Sequence, residues 1–151
     1  MPQSLSAVYV HLAFSTKDRR AFLRDRTVRE ALHSYLGAIS KRIECPPIRV
    51  AGTEDHVHVL ARLARTTTQA DRVKEVKRVS SLWMKEQGPE YVGFQWQGGY
   101  ACFSVSQSKL LQVEEYIARQ EEHHRKRTFQ DELRELLQKH HIEFDERFVW
   151  D

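Results

Sequence analysis

Two short segments, separated by the sixty positions from His56 to Tyr116, carry residue types that do chemistry together. Asp55-His56-Val57-His58-Val59-Leu60 reads as a strand, in which side chains two apart share a face. It presents two imidazoles side by side and turns Val57 and Val59 the other way into a core. Tyr116-Ile117-Ala118-Arg119-Gln120 reads as a helix, in which residues four apart are neighbours, so a phenol and a carboxamide lie one above the other. Two imidazoles and an amide oxygen hold a divalent metal, and a tyrosine beside that metal is a candidate nucleophile. Such a site cuts a phosphodiester by attaching it to the protein. Each signal alone has an ordinary reading: partly exposed histidines, a half-buried core tyrosine, a surface glutamine.

The elements that must position these residues follow from periodicity. Val8-Tyr9-Val10-His11-Leu12-Ala13-Phe14 is strand-like, rich in β-branched and aromatic residues. Apolar residues at three- and four-residue spacing predict a helix over 25–43, stopped by Pro46-Pro47. Strands over 48–51 and 57–63 flank Gly52-Thr53-Glu54 as a hairpin. Thr66-Thr67-Thr68 caps a helix to about Glu86, before Gly88-Pro89. Phe94 to Trp96 and Tyr100 to Val105 read as strands around Gly98-Gly99. Ser108 caps a helix through about Arg125, and Thr128, with Asp131 three residues on, begins another ending near His141. The order β-α-β-β-α-β followed by helices is an α/β (α+β) pattern. It predicts a ferredoxin-like central antiparallel sheet with helices on both faces, the catalytic tyrosine on a C-terminal helix.

Hydrophobic content of 40% and charged content of 30% fit a folded globular chain, not a disordered one. No repeat or linker interrupts it, so a single domain over 1–151 is expected. Cys45 and Cys102 form no CxxC pattern and read as buried thiols of a reducing compartment. The absence of a signal region or a long apolar run predicts a cytoplasmic protein with no membrane partner. Net charge is +3, but residues 1–50 carry nine Lys/Arg against four Asp/Glu, and residues 101–151 carry eight against eleven. The basic half is suited to phosphates. Lys17, Arg19 and Arg20 after the first strand, and Lys74, Lys77, Arg78 and Lys85 on the second helix, are the candidate DNA contacts. Trp83 and Trp96 are able to stack bases, though core packing suits Trp83 better.

Taken together the motifs resemble the single-tyrosine HUH transposases of the smallest bacterial insertion sequences, including their domesticated palindromic-repeat relatives. The resemblance runs through Tyr9–Lys17, Arg19-Arg20, Asp55–Leu60, Lys77–Trp83, Trp96–Ser106, Tyr116–His124 and Thr128-Phe129. It implies that His56, His58 and Gln120 ligate Mg2+ or Mn2+ and that Tyr116 is the nucleophile. It further implies single-stranded DNA with hairpin ends as substrate and a homodimer whose tyrosine helix completes the other subunit's site. Asp55 and the His123-His124 pair belong to the same pattern, with capping, orientation or surface contact as their roles. Attack by Tyr116 gives a 5′-phosphotyrosine and a free 3′-hydroxyl, a bond whose energy is kept for rejoining. Imidazole ligands favour manganese over magnesium. A domesticated enzyme that processes palindromic repeats and a non-catalytic nucleic-acid-binding module are the alternatives.

Overall fold

The computed structural model describes residues 2–151. Its strands are β1 (Tyr9–Ser15), β2 (Pro47–Gly52), β3 (His56–Arg62) and β4 (Ala101–Val105). Its helices are α1 (Arg26–Arg42), α2 (Gln69–Lys85), α3 (Leu110–Ala118), α4 (Gln120–His123) and α5 (Phe129–Lys139). The sheet runs β2-β3-β1-β4 with every neighbouring pair antiparallel. This is the ferredoxin-like order that the β-α-β-β-α-β succession predicts.

Local chemistry sets the element ends. Asp25 accepts from the Val28 amide at 3.2 Å, Thr68 from Asp71 at 3.0 Å and Thr128 from Asp131 at 3.1 Å, so three helices begin at side-chain caps. Between β2 and β3 the chain reverses so tightly that a Cβ on Gly52 would stand 2.2 Å from the His56 carbonyl oxygen. Only glycine admits that turn.

Alternation along β1 and β3 divides the molecule in two. Leu12, Phe14, Val57 and Val59 face α1 and α2 and join Leu32, Leu36, Ile39, Val73, Val76 and Met84 in the larger core. On the opposite face Ala13, Ala101 and Phe103 pack under Phe129, Leu133 and Leu137 of α5. Helices thus cover both faces, and β1 contributes to both cores. Among the described residues no helix is long and apolar enough to cross a membrane.

Four expectations are corrected. Phe94 to Trp96 is not a strand; its one ladder contact is an isolated bridge between Thr16 and Trp96. The Phe94 and Trp96 rings instead plug the larger core, and the Trp96 indole donates to Ser80 Oγ at 3.0 Å. Burial therefore removes Trp96 from base stacking, while half-buried Trp83 stacks on Tyr35 with centroids 5.0 Å apart. The helix expected over 108–125 breaks at Arg119, whose φ and ψ of −99° and 24° leave the helical region. Ser108 is not its cap; its hydroxyl lies 3.1 Å from that of Ser106, within a short turn that leads into α3.

Candidate metal centre and nucleophile

The face of β3 turned away from the larger core presents His56 and His58, both wholly buried beneath α3, α4 and α5. Tyr116 comes from α3 and Gln120 from the first position of α4. Glu121 anchors α4 by accepting from Arg29 at 2.7 Å and from Arg26 at 2.8 Å, both on α1. The helix break at Arg119 and this anchor together set Gln120 against the sheet. Its Oε1 stands 2.9 Å from His56 Nε2. All four residues expected at the site meet there, and all four come from one chain.

The structure adds a fifth that the sequence reading missed. Glu132 of α5 is fully buried between the imidazoles, with Oε1 3.0 Å from His58 Nε2 and 3.6 Å from His56 Nε2. Its Oε2 accepts the Tyr116 hydroxyl and, at 3.0 Å, the Gln120 amide nitrogen. His124 Nε2 approaches Oε1 at 3.1 Å, which gives the second histidine of the His123-His124 pair a contact within the site. Burial works against the charge of Glu132, but His58 beside it and hydrogen bonds from His124 and His58 hold its carboxyl well below the usual range. The carboxylate is ionised.

Tautomers decide what the cluster can hold. Asp55 Oδ1 lies 2.8 Å from His56 Nδ1. Burial raises the Asp55 carboxyl, yet hydrogen bonding and charge from His56 carry it below its ordinary value, so it is an acceptor. His56 therefore carries its proton on Nδ1 and aims a bare Nε2 lone pair at Gln120 Oε1. Turning the Gln120 amide over relieves that contact, but then its oxygen faces Glu132 Oε2. Either orientation leaves two acceptors in contact unless a cation or a proton lies between them.

His11 of β1, a second residue the sequence reading missed, stands behind His58. Its Nε2 is 2.7 Å from His58 Nδ1. Burial, and next the charge of His58, lower the His11 imidazole to about 3, and burial also lowers His58. Two neutral rings share one proton along this contact. With that proton on His58 Nδ1, the His58 Nε2 lone pair faces Glu132. One ligand atom from each of His56, His58 and Glu132 then fits within a 4.8 Å cluster, a carboxylate-backed donor set suited to a divalent ion.

Tyr116 is protonated in this arrangement. Burial, the Glu132 charge and the hydrogen bond to Glu132 push its phenol well above the ordinary value of about 10. Arg127, in the loop between α4 and α5, opposes them: its guanidinium donates to the phenol oxygen at 3.2 Å.

The basic residues expected at DNA lie elsewhere. Lys77 is partly buried and holds the carbonyls of Gln97 and Gly99 at 2.8 and 2.6 Å. Arg78 pairs with Glu75 at 2.8 Å, Lys85 donates to the Phe94 carbonyl at 2.7 Å, and Lys74 is exposed on α2, on the far side of the sheet. Lys17 and Arg20 are exposed, and Arg19 is half-exposed over the Trp150 ring. None of these seven lines the cavity beside Tyr116.

The fold is similar to that of solved proteins. The crystal structure of a "putative transposase" from Deinococcus radiodurans R1 superposes with a TM-score of 0.61 at 24% identity, covering 80% of this chain and 95% of that one. A REP-associated tyrosine transposase, solved bound to a REP hairpin, superposes with a TM-score of 0.60 at 12% identity, covering 82% of this chain and 72% of that one. No curated protein sequence matches the chain. The sequence pattern of the family described as "Transposase IS200 like" matches residues 4–120, and the chain belongs to that family.

Proposed function

We propose that this transposase cleaves and rejoins single-stranded DNA through a 5′-phosphotyrosine on Tyr116, at a metal held by His56, His58 and Glu132 with Gln120 beside it. The observation that carries the reading is the Tyr116 hydroxyl on a buried carboxylate that also touches both imidazoles. A bound divalent ion supplies charge neutralisation and orientation for the scissile phosphate. Glu132 accepts the phenol hydrogen bond and is the acceptor at hand for its proton. The phenol oxygen bonds to phosphorus as the 3′-oxygen leaves and takes up a proton. Arg127 offsets charge on the phenol oxygen.

Two imidazoles and one carboxylate suit Mn2+ better than Mg2+, which keeps more of its water. The hairpin carried by the REP-associated relative supports a substrate with palindromic ends. Because ligands and nucleophile meet within one chain, a site working inside one subunit is favoured over one shared by two; a homodimer then carries two complete sites.

Labelled single strands containing a hairpin, incubated with Mn2+ and run on denaturing gels, test the reading. Wild type is expected to form a covalent adduct that Tyr116→Phe abolishes. A full-strength adduct in that variant overturns the assignment.

A further inference from the structure

Beside Tyr116, α3 and α5 part over β4 and leave a cavity of about 570 Å3. Tyr116, Arg127 and Glu132 form its wall, so a group that meets the phenol from this side must enter here. At its base the rings of Phe103 and His140 stack with centroids 4.4 Å apart and planes within 19°. Ser104, Ser106 and Gln112 add hydroxyl and amide groups. These are the ingredients of a base site: an exposed imidazole backed by a buried phenyl ring, with donors and acceptors around it.

The charges of the cavity match a nucleic-acid backbone. Glu132 is enclosed by His58, His124, Gln120 and Tyr116, and Glu135 is paired with Arg127. Lys109 on the β4–α3 turn and Lys139 at the end of α5 have no carboxylate within 4.0 Å among the described residues. Two unspent cations therefore border a space whose acidic groups are already satisfied. The volume lies in the range of small-ligand sites and suits one nucleotide, whereas a base in a stacked duplex has no way into it.

We propose that this cavity seats the unpaired nucleotide adjoining the phosphate that Tyr116 attacks, its base on the exposed His140 imidazole that Phe103 backs and its flanking phosphates on Lys109 and Lys139. The inference rests on the single-strand cleavage reading above and adds to it where the strand lies. It also accounts for the distance between the site and the basic residues of α2.

The test uses the full chain and a fluorescent DNA hairpin with an unpaired flank, read by anisotropy over a range of salt. In Lys109→Gln/Lys139→Gln the slope of log K against log salt is expected to fall by about 1.4, from two single-strand phosphate contacts at about 0.7 each. An abasic site next to the scissile phosphate is expected to weaken wild-type binding about tenfold. The same lesion should matter little to Gln112→Trp, whose indole fills the cavity from the exposed face of α3. A hairpin without the flank should bind all three proteins alike. Wild-type adduct formation is measured in parallel. If adducts form but the salt slope and the abasic effect are the same in wild type and variants, the cavity inference falls and the cleavage reading stands. If wild type forms no adduct with any single strand, the cleavage reading falls and takes this inference with it.

Discussion

Glu132 and Tyr116, sixteen residues apart on different helices, are joined by a hydrogen bond from the phenol to a fully buried carboxylate. One side chain thereby links the proposed nucleophile to the two imidazoles. Glu132→Gln keeps the volume and removes the charge, so Mn2+ affinity measured by calorimetry is expected to fall at least tenfold to roughly a hundredfold, the loss usual even for groups behind the ligands. Undiminished affinity would show that Glu132 is not a ligand.

Among the described residues Arg127 is the one cation in hydrogen-bond reach of the phenol oxygen, at 3.2 Å. Arg127→Ala is expected to slow single-turnover adduct formation about a hundredfold, the scale of removing one donor from a developing anion. Arg127→Lys should recover part of the rate, since it restores charge without the planar fork. An adduct rate in Arg127→Ala within twofold of wild type would contradict the role.

Subunit mixing tests where a site is assembled. His56 and Tyr116 lie in the same chain's site, bridged through Gln120 and Glu132. A mixture of Tyr116→Phe and His56→Ala chains is therefore expected to stay inactive, each chain lacking one essential group. Recovery of adduct formation after subunit exchange would show that the tyrosine helix crosses between chains.

Acid should weaken the fold through His33. Burial first, and then the charge of Arg29, lower its imidazole from 6.5 to about 4. Between these values the unfolded chain binds a proton that the native chain does not, so stability rises with pH and is lost as pH falls from about 6.5 to about 4. Urea unfolding in excess chelator between pH 7 and pH 4.5 should show this loss, to which His11 and His58 add, and His33→Leu should make the slope shallower by one group's share. An unchanged pH slope in the variant would remove His33 as the cause.

Arg72 is wholly buried, and its guanidinium nitrogens make no hydrogen bond among the described residues. Burial lowers its pKa, and the groups that oppose that shift, the thiols of Cys45 and Cys102, are uncharged unless they ionise. Replacing such a group by an apolar side chain of similar length removes a desolvation cost, so Arg72→Met is expected to stabilise the chain by about 1–3 kcal/mol. A lowered melting temperature would show that the charge is compensated.

What the sequence reveals about this site follows the range of each signal. His56 with His58 and Tyr116 with Gln120 repeat at strand and helix spacing, and such local periods are readable without a fold. Glu132 belongs to an element whose docking depends on the whole sheet. At the start of α5 it passes for an ordinary acidic residue of a first turn. A clue was present, because Glu132 shares the helix face of Phe129, Leu133 and Leu136, where a lone carboxylate needs a partner. His11 was hidden in the same way within an apolar strand. The break at Arg119 has no glycine or proline to announce it; contacts of Glu121 with α1 hold the chain there. Phe94 to Trp96 misled because aromatic residues favour strands and plug cores equally well.

On the proposed metal site, the alternation along β3 makes a bound divalent ion a reporter of zippering. Val57 and Val59 belong to one core while His56 and His58 belong to the other face, and β1 and β2 hold that register from both sides. A slip of one residue would turn both imidazoles inward and both valines outward. No intermediate register lies between the two arrangements. If the proposed site holds manganese, a chain that binds it has aligned its central strand, and metal titration of refolding protein is expected to measure the fraction correctly paired.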